Sequence, residues 1–499
     1  MTKNPPFAAP FALFLLALLP YLNTLGHGFT FDDDREILDN PLVRTFSWRG
    51  FLDAYNRPPG AKFPAGRPLP VLTYALNHAF GALRPFGYHL VNVLLNAVVA
   101  VLVWAATREV FPGRPSAAFL AAAFFAVHPI HTEVVASVIG RSELWASFFV
   151  LVALNLYLRS APRPGAPFRP AAWLGPLLFL LGALSKGTAL ALIPLIAVCD
   201  LARFGRLRPA ALLRHWLKHL LPYCAVLALF LVFFTRKNLP RGEEMLASSL
   251  IFLPAADRVR EAIGILARYL VLLSWPARLS CDYGYAQLES VPAAVRSWWS
   301  AGGAAAIVGA ALLAAASWKR RREHFFAVAV FAVSFAGVSN LVFPINTPMG
   351  ERLLYLPSWG FSLFLAFLVE SVFRRRPAAA YVIAAALAAA YGARTVARNR
   401  DWKDNFALFS AAYRVCPLSA KVNYNLGLEC ARRGMTAEAL FHYRRAVEIT
   451  PDNPTYHLNL GEALVQAGET ERGTEEFREA IRLALPRVEE YAGLSGTLA

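Results

Sequence analysis

The chain is a succession of apolar runs, the first of them FALFLLALLPYLNTL, separated by short loops rich in arginine. A helix needs roughly 20 mainly apolar residues to cross the hydrocarbon core, where no water is present to satisfy its backbone. Eleven runs meet that description: 7–25, 88–107, 116–136, 142–158, 171–185, 187–201, 219–235, 298–316, 325–343, 353–373 and 378–393. The pair 171–185 and 187–201 is short enough for a re-entrant hairpin, and HPIHTE interrupts the end of 116–136. Composition agrees, with 57% hydrophobic and 17% charged residues, against about a quarter charged in soluble domains. No small-residue cleavage site follows the first run, which reads as a retained span rather than a removed signal. The expected class is therefore an all-α, polytopic membrane protein.

A formal charge of +17 raises the question of nucleic acid. The cations sit instead in short loops: Arg108 and Arg114, Arg159 to Arg169, Arg203 to Arg214, Lys319 to Arg322, and Arg374 to Arg376. By the positive-inside rule these loops are cytoplasmic, so the N-terminus is inside and no nucleic-acid partner is needed to explain the charge. Residues 258–276 would break that parity, and read as an interfacial or re-entrant helix carrying Arg260 and Arg268 at the surface. The polar interruptions FDDDRE, HPIHTE, LSKGTAL, DYGY and MGER then share the outer face. Heavy use of Ala, and of Arg over Lys, points to a GC-rich bacterium and hence to an inner membrane. Five cysteines show no CxxC spacing, although a Cys416–Cys430 disulfide is one arrangement the spacing allows.

The last hundred residues change character. Gly427, Gly434, Tyr443 and Ala446 recur 34 positions later as Gly461, Gly468, Phe477 and Ala480, while Pro451 returns, displaced by one, as Pro486. Small residues where two helices cross, with an aromatic at the packing position, make the tetratricopeptide pattern. A half-repeat at 401–417 precedes repeats at about 420–453 and 454–487. Stacked helix pairs form a concave groove suited to holding a peptide. The expected division is 1–397 for the membrane domain, with loops 26–87 and 236–297, and 398–499 for the repeats.

Several polar residues are candidates for chemistry. Asp32 and Asp33 stand at the mouth of the first span, where a carboxylate can accept the proton of a hydroxyl. Like charge next door raises one of the two pKa values. His128 and His131, with Glu133, Arg141 and Glu143 beyond, fit hydrogen bonding to a sugar or phosphate, and fit a structural role equally well. Pro129 would open a helix there, bringing both imidazoles roughly to one face. The spacing lacks the HExxH pattern of a zinc site, so no metal is assigned; a divalent cation is compatible with the site but not required. Lys186 and Arg352 are cations at the lipid boundary, suited to a lipid-linked phosphate unless Arg352 pairs with Glu351 or another acid. Asp282 and Tyr283 are candidates for substrate contact, or for an interfacial belt.

Four stretches, FTFDDDREILDN, HPIHTEVVASVIGRSELWA, NLVFPINTPMGERLLYLPSWGF and RNRDWKDNFALFSAAYRVCPLSAKVNYNLG, resemble the transmembrane and tetratricopeptide-repeat O-mannosyltransferases of the GT-C superfamily. The resemblance runs from residue 7 to about 485. It implies inverting transfer of a sugar, mannose by default, from a polyprenyl- or dolichyl-phosphate donor to Ser or Thr hydroxyls of extracytoplasmic proteins. Asp32 and Asp33 inherit the catalytic carboxylate roles, with Asp32 the base. Lys186, Arg352 and Arg141 would face the donor phosphate. His128, His131, Glu133, Glu143, Glu351, Asp282 and Tyr283 would line sugar and acceptor, and the repeats would grip the acceptor protein. Rival readings are the same chemistry on a lipid or glycan acceptor, or a membrane-anchored scaffold without catalysis.

Overall fold

The computed structural model describes residues 8–44, 47, 49, 67–160, 173–204, 208–238, 250, 253–284, 293–318, 322–345 and 347–496. Arg163, Arg169, Arg206, Lys319, Arg320, Arg321 and Tyr285 lie outside them, as do most of 45–66 and 239–252. Among the described residues there is no strand.

Proline opens many of the helices, including Pro68–Gly81, Pro85–Val110, Pro115–Val127, Pro209–His219 and Pro377–Asn399. Its fixed φ suits the first turn, and its missing N–H has no partner there to lose. At the centre lies Pro115–Val127, from which Ala117, Ala118, Ala121, Ala122 and Ala126 are wholly buried. A helix apolar on every side belongs inside a bundle, and small side chains let neighbours approach closely. Those neighbours are Ala8–Leu18, Pro85–Val110, Ser358–Val372 and Pro377–Asn399. Ser358–Val372 in turn lies backbone to backbone on Arg322–Ala336: a Cβ on Gly360 would come within 2.4 Å of Phe331 N and 2.7 Å of Ala327 O.

Each of the eleven expected spans contains a helix, but not all are of spanning length. Among the described residues six are long and apolar enough, or eight if two bent pairs count as one span each. The remaining three helices, Leu174–Ala183, Arg322–Ala336 and Ser358–Val372, are shorter. The bend of 48° between Pro115–Val127 and 129–136 has a local cause. Proline disfavours the helical region for the residue before it, and His128 is extended at φ −67°, ψ 126°. Beyond it the chain makes a short 3-10 turn, Pro129–His131, rather than the expected helix start. The segment that broke the parity forms Ala255–Ser274, and its Arg260 is exposed.

Two compact units emerge. One comprises residues 1–277 and 297–403; the other comprises 278–296 and 404–499. The boundary falls at 403 rather than 397 because the end of Pro377–Asn399 is tied into the first unit. Asn399 Nδ2 donates to Pro20 O and Asn23 Oδ1, Trp402 is fully buried, and Gly28 N donates to Lys403 O. Part of the loop assigned to the membrane domain, 278–296, goes with the repeats instead. In that second unit, helices Ala420–Arg432, Thr436–Ile449, Pro454–Gln466 and Thr470–Gly496 come after the half-repeat helix Asn405–Val415. Gly434 and Gly468 end the first helix of each pair at φ 73° and 86°, a left-handed position that glycine takes without strain. A Cβ on Gly427 would meet the Tyr443 ring at 2.8 Å, and one on Gly461 the Phe477 ring at 2.7 Å. The 34-residue period is thus a packing period. Cys416 and Cys430 are both thiols, so the disulfide that their spacing allowed is absent.

Candidate active site

The two aspartates of the acidic run have different surroundings. Asp33 is fully buried, and its carboxylate receives four donors: Thr30 N at 3.1 Å, Val138 N at 3.2 Å, Ile139 N at 2.8 Å and Ser137 Oγ at 3.4 Å. Burial pushes its carboxyl up to about 7, while the three N–H groups pull the other way and the neighbouring Asp32 adds a little to the rise. Asp32 is partly exposed, and its charge is felt at Arg352. Of the two, Asp32 is the carboxylate left open to solvent, and Asp33 is spent on backbone and Ser137 donors.

That backbone, the turn Val138–Gly140, is held from the opposite side as well. Asn92 Nδ2 donates to Ser137 O and Val138 O, and Tyr74 Oη donates to Val138 O. Gly140 is obligatory, since a Cβ there would lie 2.0 Å from Val134 O. Arg141 comes next, and the expectation that it faces a phosphate does not fit its geometry. Its Nε donates to Asn92 Oδ1, Nη1 to Asn77 Oδ1 and Thr73 O, and Nη2 to Tyr88 O. With the Tyr74 ring beneath it at 4.8 Å, the guanidinium is a buried clamp with every nitrogen engaged.

Across from the acidic loop, Glu133 holds Arg352 twice. Its Oε2 accepts the Arg352 backbone N–H at 2.8 Å and its Oε1 accepts from Nη1 at 2.5 Å. Tyr269 Oη donates to Gly350 O and accepts from Gly350 N, which fixes the turn that carries Arg352. Arg352 thus pairs with Glu133, not with Glu351. Glu351 is fully buried, with Arg398 at 4.0 Å.

Lys186 pairs with Glu143 at 2.7 Å, and Arg352 and Arg67 lie within its electrostatic reach. Arg67 was not singled out in the sequence. It precedes the helix Pro68–Gly81, is exposed, and points Nη1 toward Ser142 Oγ at 3.4 Å. Its single signal is a cation just before a proline-started helix, which many surface loops share. The outcome is three cations, Lys186, Arg352 and Arg67, two of them on acidic supports, with Asp32 within electrostatic reach of Arg352. Cations held by buried acids are preorganised to receive an anion.

The two histidines are part of the bundle. His128 Nδ1 accepts from Ile130 N, which leaves Nε2–H to donate to Leu273 O at 2.9 Å. Ser358 Oγ donates to Tyr355 O, so His131 Nε2–H donates to Ser358 Oγ at 2.7 Å. Both rings are wholly buried, and their placement is structural. Asp282 and Tyr283 belong to the repeat unit: Asp282 Oδ2 accepts from Ser419 Oγ at 2.8 Å, and Tyr283 Oη accepts from Ser280 N. Among the described residues no group of three or more His, Cys, Asp or Glu side chains could hold a metal ion.

Comparison with known proteins bears on both units. A family model described as a TPR repeat matches residues 427–468. The chain is 27% identical to the human protein O-mannosyl-transferase TMTC3 over 513 residues, covering 94% of this chain and 54% of that protein. It is 28% identical to the Drosophila melanogaster protein O-mannosyl-transferase Tmtc3, covering 95% of this chain and 59% of that one. Against human TMTC2 the identity is 26%, with 87% and 61% covered. The chain therefore spans little more than half the length of these relatives. They are animal proteins, and they lend no support to the bacterial source that composition pointed to. Along most of its length, the chain is similar to proteins named protein O-mannosyl-transferases, and it carries a TPR repeat near its C-terminal end.

Proposed function

We propose that this chain is an inverting glycosyltransferase of the membrane, moving mannose from a polyprenyl-phosphate donor to Ser or Thr hydroxyls of extracytoplasmic proteins. The reading takes the sugar and the acceptor class from the names of its relatives. The observation that carries it is a partly exposed Asp32 within electrostatic reach of Arg352, which with the exposed Arg67 is in turn within reach of the acid-supported Lys186. In the reaction, Asp32 takes the proton of the acceptor hydroxyl as its oxygen forms a bond to the sugar C1. The bond from C1 to the phosphate oxygen breaks on the opposite face, and its electron pair stays on the phosphate. The polyprenyl phosphate so released gains one negative charge, which Lys186, Arg352 and Arg67 stabilise. A base for the hydroxyl and cations for the leaving phosphate supply both halves of the displacement. The repeats would hold the acceptor polypeptide near the membrane.

The full chain in vesicles, supplied with polyprenyl-phosphate mannose and a Ser/Thr-rich peptide, provides the test. Asp32→Asn should lose about 100-fold or more in turnover, the upper part of the range for a lost general base. Lys186→Met and Arg352→Met should each lose at least about 10-fold. Unchanged transfer by Asp32→Asn would sink this reading, and a protein that makes no product at all would return the scaffold alternative.

A further inference from the structure

We infer that Asp33 is a positioning residue: its carboxylate closes a strained turn that aims Asp32. This rests on the reading of Asp32 as base. Thr30 and Asp33 are joined twice, since Asp33 N donates to Thr30 O at 3.0 Å and Thr30 N donates to Asp33 Oδ2 at 3.1 Å. Phe31 and Asp32 are the two residues between those closures. Phe31 has φ 59°, in the left-handed region. The other described non-glycine residues there are Ala82, which ends a helix, and Asn340, a type that tolerates the region. A bulky aromatic has neither excuse, and a residue in that conformation persists only where its surroundings over-determine it.

The over-determination is visible. Asp33 ties the turn to Val138 N, Ile139 N and Ser137 Oγ, and that segment is itself held by Asn92 and Tyr74. Arg352 is itself fixed through Glu133. Asp32 is carried on the first of these anchored segments, within electrostatic reach of Arg352 on the second. With Asp33 removed, Phe31 can relax to negative φ, and the Asp32 carboxylate turns with it. Asp33 then acts on the reaction through geometry, without touching substrate.

The experiment compares wild type, Asp32→Asn, Asp33→Ala, Phe31→Gly and the double variant Phe31→Gly/Asp33→Ala in the vesicle assay. Asp33→Ala should lower kcat by about 100-fold, the scale of a 1 Å misplacement, with the donor KM within about threefold of wild type because the cations are untouched. The double variant should exceed Asp33→Ala by several-fold, since glycine holds a positive φ without strain. Hydrogen exchange on the intact solubilised chain adds a readout independent of turnover: amides in 27–34 and 137–140 should exchange faster in Asp33→Ala. Wild-type kcat in Asp33→Ala, with Asp32→Asn inactive, overturns the positioning role and leaves the proposed function standing. Failure of the double variant to exceed Asp33→Ala in turnover, or unchanged exchange in both segments of Asp33→Ala, overturns it equally. Full turnover by Asp32→Asn instead removes the proposed function, and the positioning role with it.

Discussion

Asp32 and Asp33 have the same chemistry, and the backbone separates them by sending one inward to four donors and leaving the other at the surface of the site. The inward one couples folding to pH. Its carboxyl titrates near 7 when buried and near about 3.9 in an unfolded chain. Below about pH 4 both states hold the proton, and the contribution to stability is complete. As pH rises from there the unfolded state releases its proton first, so stability falls until about pH 7 and then levels. Thermal unfolding in detergent between pH 4.5 and 7.5 should show this decline in wild type and lose part of it in Asp33→Asn; equal slopes would contradict it. Arg141→Lys should lower stability by about 2–4 kcal/mol, read as a drop in Tm, because an ammonium cannot serve Asn92, Asn77, Thr73 and Tyr88 together. The sequence displayed both residues as charged groups beside apolar runs, but not their duties. Arg141 takes partners 49 to 68 positions away, and Arg352 takes one 219 positions away. Pairings that distant leave no local pattern to read.

Helices were the legible part, because apolar run length is a property of a single element. Their ends were less so. The run 325–343 looks continuous in composition, yet the helix stops at Ala336 and the chain turns through Asn340, whose side chain donates to Thr347 O and Pro348 O. Similarly, HPIHTE announced an interruption, but whether its imidazoles would face a ligand depended on Leu273 and Ser358 arriving from elsewhere. Close helix crossings make a prediction of their own. Gly360→Ala should destabilise by about 1–3 kcal/mol, because its Cβ meets the backbone of the adjoining helix and not a side chain able to swing away. Gly309→Ala, in open space, is the control and should leave Tm within a degree or two. Equal effects of the two substitutions would refute the argument.

At the scale of the molecule, the repeats were readable because a 34-residue recurrence records the same crossing twice, Gly427 on Tyr443 and Gly461 on Phe477. Membrane sidedness is a different kind of inference, drawn from loop charge alone. It is expected to place Arg35 and the exposed Ala467 in one compartment. Single cysteines at those two positions, in a cysteine-free background, should both react with a membrane-impermeant thiol reagent added from that side. Labelling from opposite sides would separate the acceptor-holding groove from the chemistry it is proposed to serve.

The repeat unit is built from two stretches of chain with 297–403 threaded between them. A protein cut at residue 403 would therefore release solenoid helices lacking their own companion segment, and Ser419 Oγ would have no Asp282 carboxylate to accept its hydrogen bond. Anyone transplanting these repeats onto another carrier has to bring both stretches, and a graft of 404–499 alone is an amputated piece.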